Sequence, residues 1–276
     1  MTTLTNQVPV ATRTEYMRPS FFRHTAYLTL RQLRAVVRIP AFIVMNVVQP
    51  LIWLLLFGQL FTSVVEIPGF TGGDNYLEFL TPGIVTMMAL FGSAWAGTSY
   101  IQDMDRGVMD RFLTSPTSRG AMMTATLVYQ ALLTFVQSLI VLGVAWLGGA
   151  RFDGGLGGIL ILLLAAMLLT ASFSALSNAA ALLARNQNVL IGISQLITIP
   201  LMFLSSALMD TSLSADWVAG VARFNPFEWA VVAGREALDA SPDWASVWGH
   251  LGLLAVFTSV LAWAATRAFR VYQRSA

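Results

Sequence analysis

The sequence contains no cysteine, no lysine and two histidines, and only 11% of its 276 residues are charged. Each scarcity excludes something. Without cysteine there is no disulfide, no thiolate nucleophile and no thiolate metal site. His24 and His250 alone are too few for a histidine-rich metal centre. Without lysine there is no Walker A loop, because that loop's lysine must reach the β- and γ-phosphates of the nucleotide. If ATP drives this protein, hydrolysis takes place on another polypeptide. The shortage of charge excludes an ordinary soluble surface, since soluble domains carry about 25% charged residues. A net charge of +2 gives no reason to expect nucleic acid as a partner.

What is present is apolar: 56% of the residues are hydrophobic and the mean hydropathy is +0.68. Six runs are long enough to cross a bilayer, for which about 20 apolar residues are needed. They lie near 39–65, 80–101, 121–147, 156–184, 189–209 and 247–266. None has an arginine well inside it, consistent with a cost of roughly 2.5–3.5 kcal/mol for arginine at a helix centre. All sixteen basic residues are arginine, and thirteen of them fall on one side of six crossings. Arg151, Arg223 and Arg235 are the exceptions. That bias puts both termini and the loop 102–120 in the cytoplasm. The arginine-only basic set points to a GC-rich coding bias and hence a bacterial inner membrane. The expected class is an all-α, multi-pass membrane protein.

The segments around the spans have separate characters. Residues 1–19 read as a disordered cytoplasmic tail, too polar for the start of a cleavable signal peptide. Residues 20–38 read as a helix in which Arg23, Arg31, Arg34 and Arg38 share an arc of about 80°. Phe22, Ala26, Leu33, Val36 and Val37 lie opposite, the pattern of an interfacial helix on the inner leaflet. The segment 210–246 is long for a connector and holds Trp217, Phe224, Phe227, Trp229 and Trp244. It is too short to cross and too apolar for water, so short helices dipping into the outer leaflet are expected. Residues 267–276 form a cytoplasmic C-terminus. Gly154, Gly155, Gly157 and Gly158 read as a flexible outer turn, and Thr170, Ser174 and Asn178 as a packing face.

The loop after the second run is more than a connector. It contains MDRFLTSPTSRG, with Met104, Val108 and Phe112 at helical spacing. Asp105, Arg106, Asp110 and Arg111 alternate in sign around them, and Pro116 ends the helix. A short amphipathic helix with paired charges and an aromatic residue has the make-up of a docking surface.

The run from Asp103 to Arg119 closely resembles the cytoplasmic segment of the membrane subunits of type-two ATP-binding-cassette exporters, in particular the daunorubicin-resistance-type permeases. Phe224-Asn225-Pro226-Phe227 with Arg235-Glu236-Ala237-Leu238 is similar to that family's N-P-F…R-x-x-L segment. Gln49-Pro50 followed by Trp53-Leu54-Leu55-Leu56-Phe57-Gly58 is a third match. Many relatives have Leu-Pro where this chain has Ser115-Pro116, and the proline that carries the turn is kept.

The resemblance implies a coupling helix over 107–115, seated in a groove of a separate cassette ATPase. Asp105, Arg106, Gly107, Asp110, Arg111, Phe112, Pro116 and Arg119 would form that contact. ATP and Mg would sit on the ATPase, present in two copies, and no cofactor on this chain. Two permease protomers, identical or paralogous, would meet among membrane lipids with the substrate path between them. That favours Asn46, Gln49, Trp53, Trp95, Ser194, Gln195 and Thr198 as path residues. Gln130, Thr134 and Gln137 share one face of the third span and are weaker candidates. Neutral polar groups in an apolar path suit a hydrophobic or amphipathic cargo such as a drug, antibiotic, lipid or glycolipid.

Two other classes compete. An ion-coupled secondary transporter or channel needs an ionisable group deep in a span or a visible internal repeat, and neither is present. An intramembrane serine protease needs a G-x-S-G nucleophile, which does not occur.

Overall fold

In the computed structural model, residues 21–66, 75–109, 119–208 and 216–275 are described, and every regular element among them is a helix. In chain order these are α1 (Phe21–Val37), α2 (Pro40–Leu60), α3 (Tyr76–Ala94), α4 (Thr98–Asp105) and α5 (Arg119–Leu147). They continue with α6 (Gly155–Ala184), α7 (Gln187–Phe203), α8 (Asp216–Ala222), α9 (Pro226–Leu238) and α10 (Trp244–Ser275). A short 3₁₀ helix, Thr62–Glu66, follows α2.

Local chemistry sets several of these boundaries. α3, α7 and α9 each start on an asparagine whose side chain accepts from the first turn. Asn75 takes Leu77 N, Asn186 takes Asn188 N and Val189 N, and Asn225 takes Phe227 N. α2 and α9 open on proline, which lacks the N–H that would be unpaired there. α6 stops at Arg185, in the left-handed conformation with φ 49°.

Among the described residues, four stretches are long and apolar enough to cross a membrane: Tyr76–Asp105, Gly120–Leu147, Gly155–Ala184 and Trp244–Phe269. The apolar helices Val44–Leu60 and Gln187–Phe203 are shorter. α6 is the hub, packed on α3, α5, α9 and α10. Tyr76–Asp105 is the most enclosed of the four stretches. Met45, Leu56, Val136, Leu196, Val256 and Trp263 point away from the bundle, the arrangement expected where lipid replaces water.

Contacts sort the helix ends into two groups. At one end, the Arg31 guanidinium meets the Asp103 carboxylate and the Thr29 hydroxyl donates to Ala125 O. At the other, Arg151 N donates to Glu78, Gly154 N to Leu238 O and the Tyr76 hydroxyl to Leu208 O.

The structure departs from the sequence reading in five places. The run 189–209 is helix only to Phe203, and Leu204–Leu208 is irregular. The run 39–65 is not one helix: α2 ends at Leu60. The run 80–101 begins four residues earlier and breaks at Trp95–Gly97 before continuing as α4. Met104 and Val108 do not share a helix, because Gly107 turns the chain with φ 64° and helix resumes only at Val108. Gly154 and Gly158 form no flexible turn. A Cβ on either would overlap the Ala237 carbonyl oxygen, so these glycines are where α6 and α9 touch backbone to backbone.

Candidate functional site

The break between α3 and α4 gathers part of the expected path. Stopping a helix inside an apolar bundle strands backbone groups, and each must find a partner. The Ala94 carbonyl accepts from the Ser177 hydroxyl at 2.7 Å and from the Ser194 hydroxyl at 2.9 Å. Gly97 N donates to Ser177 Oγ at 3.0 Å. Gly97 is required because a Cβ there would overlap Ser177 O. Ser177 therefore anchors the break from α6, a role no local pattern in the sequence reveals.

Ser194 and Thr198 lie beside this break, near Trp95. Their hydroxyls are committed to backbone: Ser194 to Ala94 O, and Thr198 to Ser194 O at 2.8 Å. Both are buried, and with Phe173, Leu176 and Ile193 they line a small open pocket between α6 and α7. Gln195 is half-buried on the same helix, and Trp95 is exposed.

Asn46, Gln49 and Trp53 stand apart from that group. They are on α2, which packs on α3 and α5. Gln49 and Trp53 face outward. Trp53 stacks on Phe57 at 4.9 Å and Phe57 on Phe61 at 5.3 Å, an i, i+4 aromatic ladder. A single protomer thus holds the expected path residues as two separate sets.

On α5, Thr134 is buried and its hydroxyl pairs with Thr170 of α6 at 2.9 Å. The packing face of α6 is therefore part polar clasp. Ser174 Oγ and both polar atoms of Asn178 on that face are buried without a partner.

Asp105 and Arg106 are exposed at the foot of α4, and Gly107 forms the turn just described. Met109 is buried against Tyr100 and Ile101. Arg119 is the first residue of α5. Asp110, Arg111, Phe112 and Pro116 lie outside the described residues. α1 docks on α5 through Thr29 and through Gln32, whose amide lies 3.5 Å from the Thr126 hydroxyl. The Arg31–Asp103 pair at 3.4 Å links α1 to α4. Phe22, Leu30 and Val37 remain exposed. The helix face turned to the protein is thus the mixed stripe of Leu28, Thr29 and Gln32, and the exposed remainder carries both apolar and basic residues.

A second polar cluster occupies the opposite end, where α7 ends at Phe203. Asn225 donates from Nδ2 to Leu201 O at 2.7 Å and to Leu204 O at 2.8 Å, while its oxygen caps α9. Arg235 donates to Ser206 Oγ at 3.1 Å, to Ser206 O at 2.9 Å and to Phe79 O at 3.3 Å. Its guanidinium lies 3.8 Å from the Phe79 ring centre. Ser206 N donates to Glu228 Oε2 at 2.6 Å. Burial pushes the Glu228 carboxyl above the ordinary carboxylate range, with Ser206 hydrogen bonding and Arg235 acting against it. Asn225 and Arg235 were visible in the sequence as a motif, but their task was not. Glu228 and Tyr76 carried no signal.

Asn225→Ala is expected to lower the thermal midpoint of the detergent-purified protein. It removes a cap worth about 0.5–2 kcal/mol and leaves buried carbonyls short of a donor, at about 1–3 kcal/mol. Asn225→Asp keeps the cap oxygen and loses the Nδ2 donors. A midpoint equal to wild type for the aspartate variant would show that the bridge to α7 contributes nothing.

The comparisons with known proteins converge on one group. A family model described as ABC-2 type transporter matches residues 23–238, from α1 through α9. The chain belongs to the ABC-2 type transporter family. This ABC-2 permease is 27% identical over 243 residues to a daunorubicin resistance ABC transporter permease protein of Streptomyces coeruleorubidus, covering 88% of this chain and 83% of that one. It is also 27% identical over 243 residues to a protein of Porphyra purpurea named as the transport permease ycf38, at 85% and 82% coverage. A Mycobacterium tuberculosis protein named for doxorubicin resistance is 24% identical over 162 residues, at 59% and 58% coverage. With several apolar helices and this family match, the ABC-2 permease is a multi-pass membrane protein.

Proposed function

We propose that this chain is the transmembrane half of an ATP-driven exporter that moves a hydrophobic or amphipathic molecule out of a bacterial cell across the inner membrane. The family match over residues 23–238, with drug-resistance permeases among the relatives, carries this reading. Two such chains, identical or paralogous, pair in the bilayer and work with two copies of a cassette ATPase. The absence of lysine supports an external motor, since no Walker A loop can exist here.

In this reading α2 and α7 also cross, giving six spans with both termini in the cytoplasm. Asp105 and Arg106 then begin the surface that receives the ATPase, and the Arg31–Asp103 pair braces it against α1. α1 lies on the inner leaflet with Phe22, Leu30 and Val37 in the acyl boundary and Arg23 and Arg34 among anionic headgroups, while Arg31 pairs with Asp103. The outward faces of α2 and α7 meet the second protomer, joining the two separate sets of polar residues into one path.

Proteoliposomes test this. The permease alone should leave ATP unhydrolysed and accumulate no fluorescent amphiphile. Added cassette ATPase with ATP and Mg should give both activities. Uphill accumulation by the permease alone would overturn the proposal.

A further inference from the structure

The stretch after α7 is irregular backbone held by other helices. Pro200 sits within the last turn of α7 and cannot donate to the carbonyl four residues earlier. From Leu204 to Leu208 the chain is not helical. Irregular backbone at membrane depth survives only where protein satisfies its polar groups. Here side chains do so: Asn225 takes Leu201 O and Leu204 O, Arg235 takes Ser206 O, and Tyr76 takes Leu208 O. Glu228 takes Ser206 N. Ala207 lies on Gly83 of α3 so closely that a Cβ there would overlap the Ala207 carbonyl.

These contacts are not equivalent. Asn225 joins α9 to the end of α7. Arg235 alone among them joins three parts, since it holds Ser206, bonds Phe79 O and covers the Phe79 ring. Removing Arg235 takes away the guanidinium bonds to Ser206 Oγ, Ser206 O and Phe79 O. The turn would then be tied to α3 by the Tyr76 hydroxyl and the Gly83 contact. The same turn continues α7, the helix that carries Ser194, Gln195 and Thr198.

We propose that the Ser205–Ala207 turn is the outer gate of the transport path and that Arg235, which holds Ser206 from one side while Glu228 accepts from Ser206 N, is the latch that keeps it shut against Phe79 and Gly83 of α3. This rests on the exporter reading above. Opening requires the guanidinium to release Ser206, so the gate opens when motion in α7 shifts the turn. Arg235 acts as a positioning residue and touches no cargo. Glutamine at 235 cannot span Ser206 and Phe79 together, and lysine keeps the charge but lacks the planar fork.

The chain has no cysteine, so a Ser206→Cys substitution places one reporter thiol in the turn with little change in size; it weakens one of the Arg235 contacts and keeps those to the Ser206 and Phe79 carbonyls, which are backbone. The variant is reconstituted with cassette ATPase and treated with a membrane-impermeant maleimide from the outer side. Ser206 is 5% exposed, so labelling should be slow at rest. ATP and Mg should raise the rate about tenfold or more. Adding Arg235→Gln should make labelling fast without ATP and let preloaded dye leak from resting vesicles, and Arg235→Lys should be intermediate. If Arg235→Gln does not assemble, the nucleotide dependence in the Ser206→Cys protein decides alone. Slow labelling unaffected by ATP, while ATP-driven accumulation persists, overturns the latch and leaves the exporter reading standing. Absence of any ATP-driven accumulation with the ATPase present overturns the exporter reading itself.

Discussion

Gly158→Val should leave almost no folded permease, whereas Gly157→Ala, one residue away, should yield as much protein as wild type or more. The two glycines face opposite environments on α6. A Cβ at 157 has nothing within 4 Å, while a Cβ at 158 would overlap the Ala237 carbonyl oxygen of α9. Both substitutions gain helix propensity, about 1 kcal/mol for glycine to alanine. At 157 that gain stands unopposed. At 158 the neighbour is backbone, which cannot rotate aside as a side chain would. Relief requires α9 to move as a body, and α9 is packed on α6, α10 and α3 through Phe227, Ala230, Val231 and Ala233. Overpacking a core typically costs about 1–3 kcal/mol, occasionally more, and here the first carbon added already overlaps backbone. Gly158→Ala should fall between the two. Size-exclusion profiles and thermal midpoints of the detergent-purified variants measure this. A Gly158→Val protein as stable as wild type would mean that α6 and α9 are not in backbone contact.

Arg111→Glu should abolish stimulation of the ATPase by transported substrate while membrane insertion stays normal. Arg111 stands in the segment that resembles the coupling region, beyond the exposed Asp105 and Arg106 and the Gly107 turn. A charge-assisted hydrogen bond is worth about 1.5–3 kcal/mol. Its loss corresponds to roughly a ten- to hundredfold weaker contact, since 1.4 kcal/mol is a factor of ten. Reversal adds repulsion to that loss. Arg106→Glu, nearer the described end of α4, should weaken coupling in the same direction. The measurement is substrate-dependent ATP hydrolysis in proteoliposomes, with permease insertion checked by protease protection. Unchanged stimulation in the Arg111→Glu protein would remove this segment from the ATPase contact.

The residues expected along the path show how far the sequence alone could reach. Ser194 and Thr198 stand out in it as polar groups in an apolar helix, a one-residue signal. What Ser194 holds is Ala94 O, 100 positions away, whereas Thr198 bonds Ser194 O within its own helix. The same limit hid Ser177, whose partners Ala94 and Gly97 are 83 and 80 residues distant. Arg235 belonged to a recognisable motif, yet its contact with Phe79 O spans 156 residues.

The sequence by itself determined the membrane as solvent, the all-helical class and the family, and excluded a Walker A loop on this chain. Those follow from sums and spacings along the chain: apolar length, arginine placement, the missing lysine and the segment that resembles a coupling region. The tertiary structure decided where helices break, which glycines are contact points and how the end of α7 is held. The reason is physical. A helix satisfies its backbone locally, so its existence is written in neighbouring residues, whereas a break in an apolar medium must be satisfied by whichever distant side chain the packing delivers.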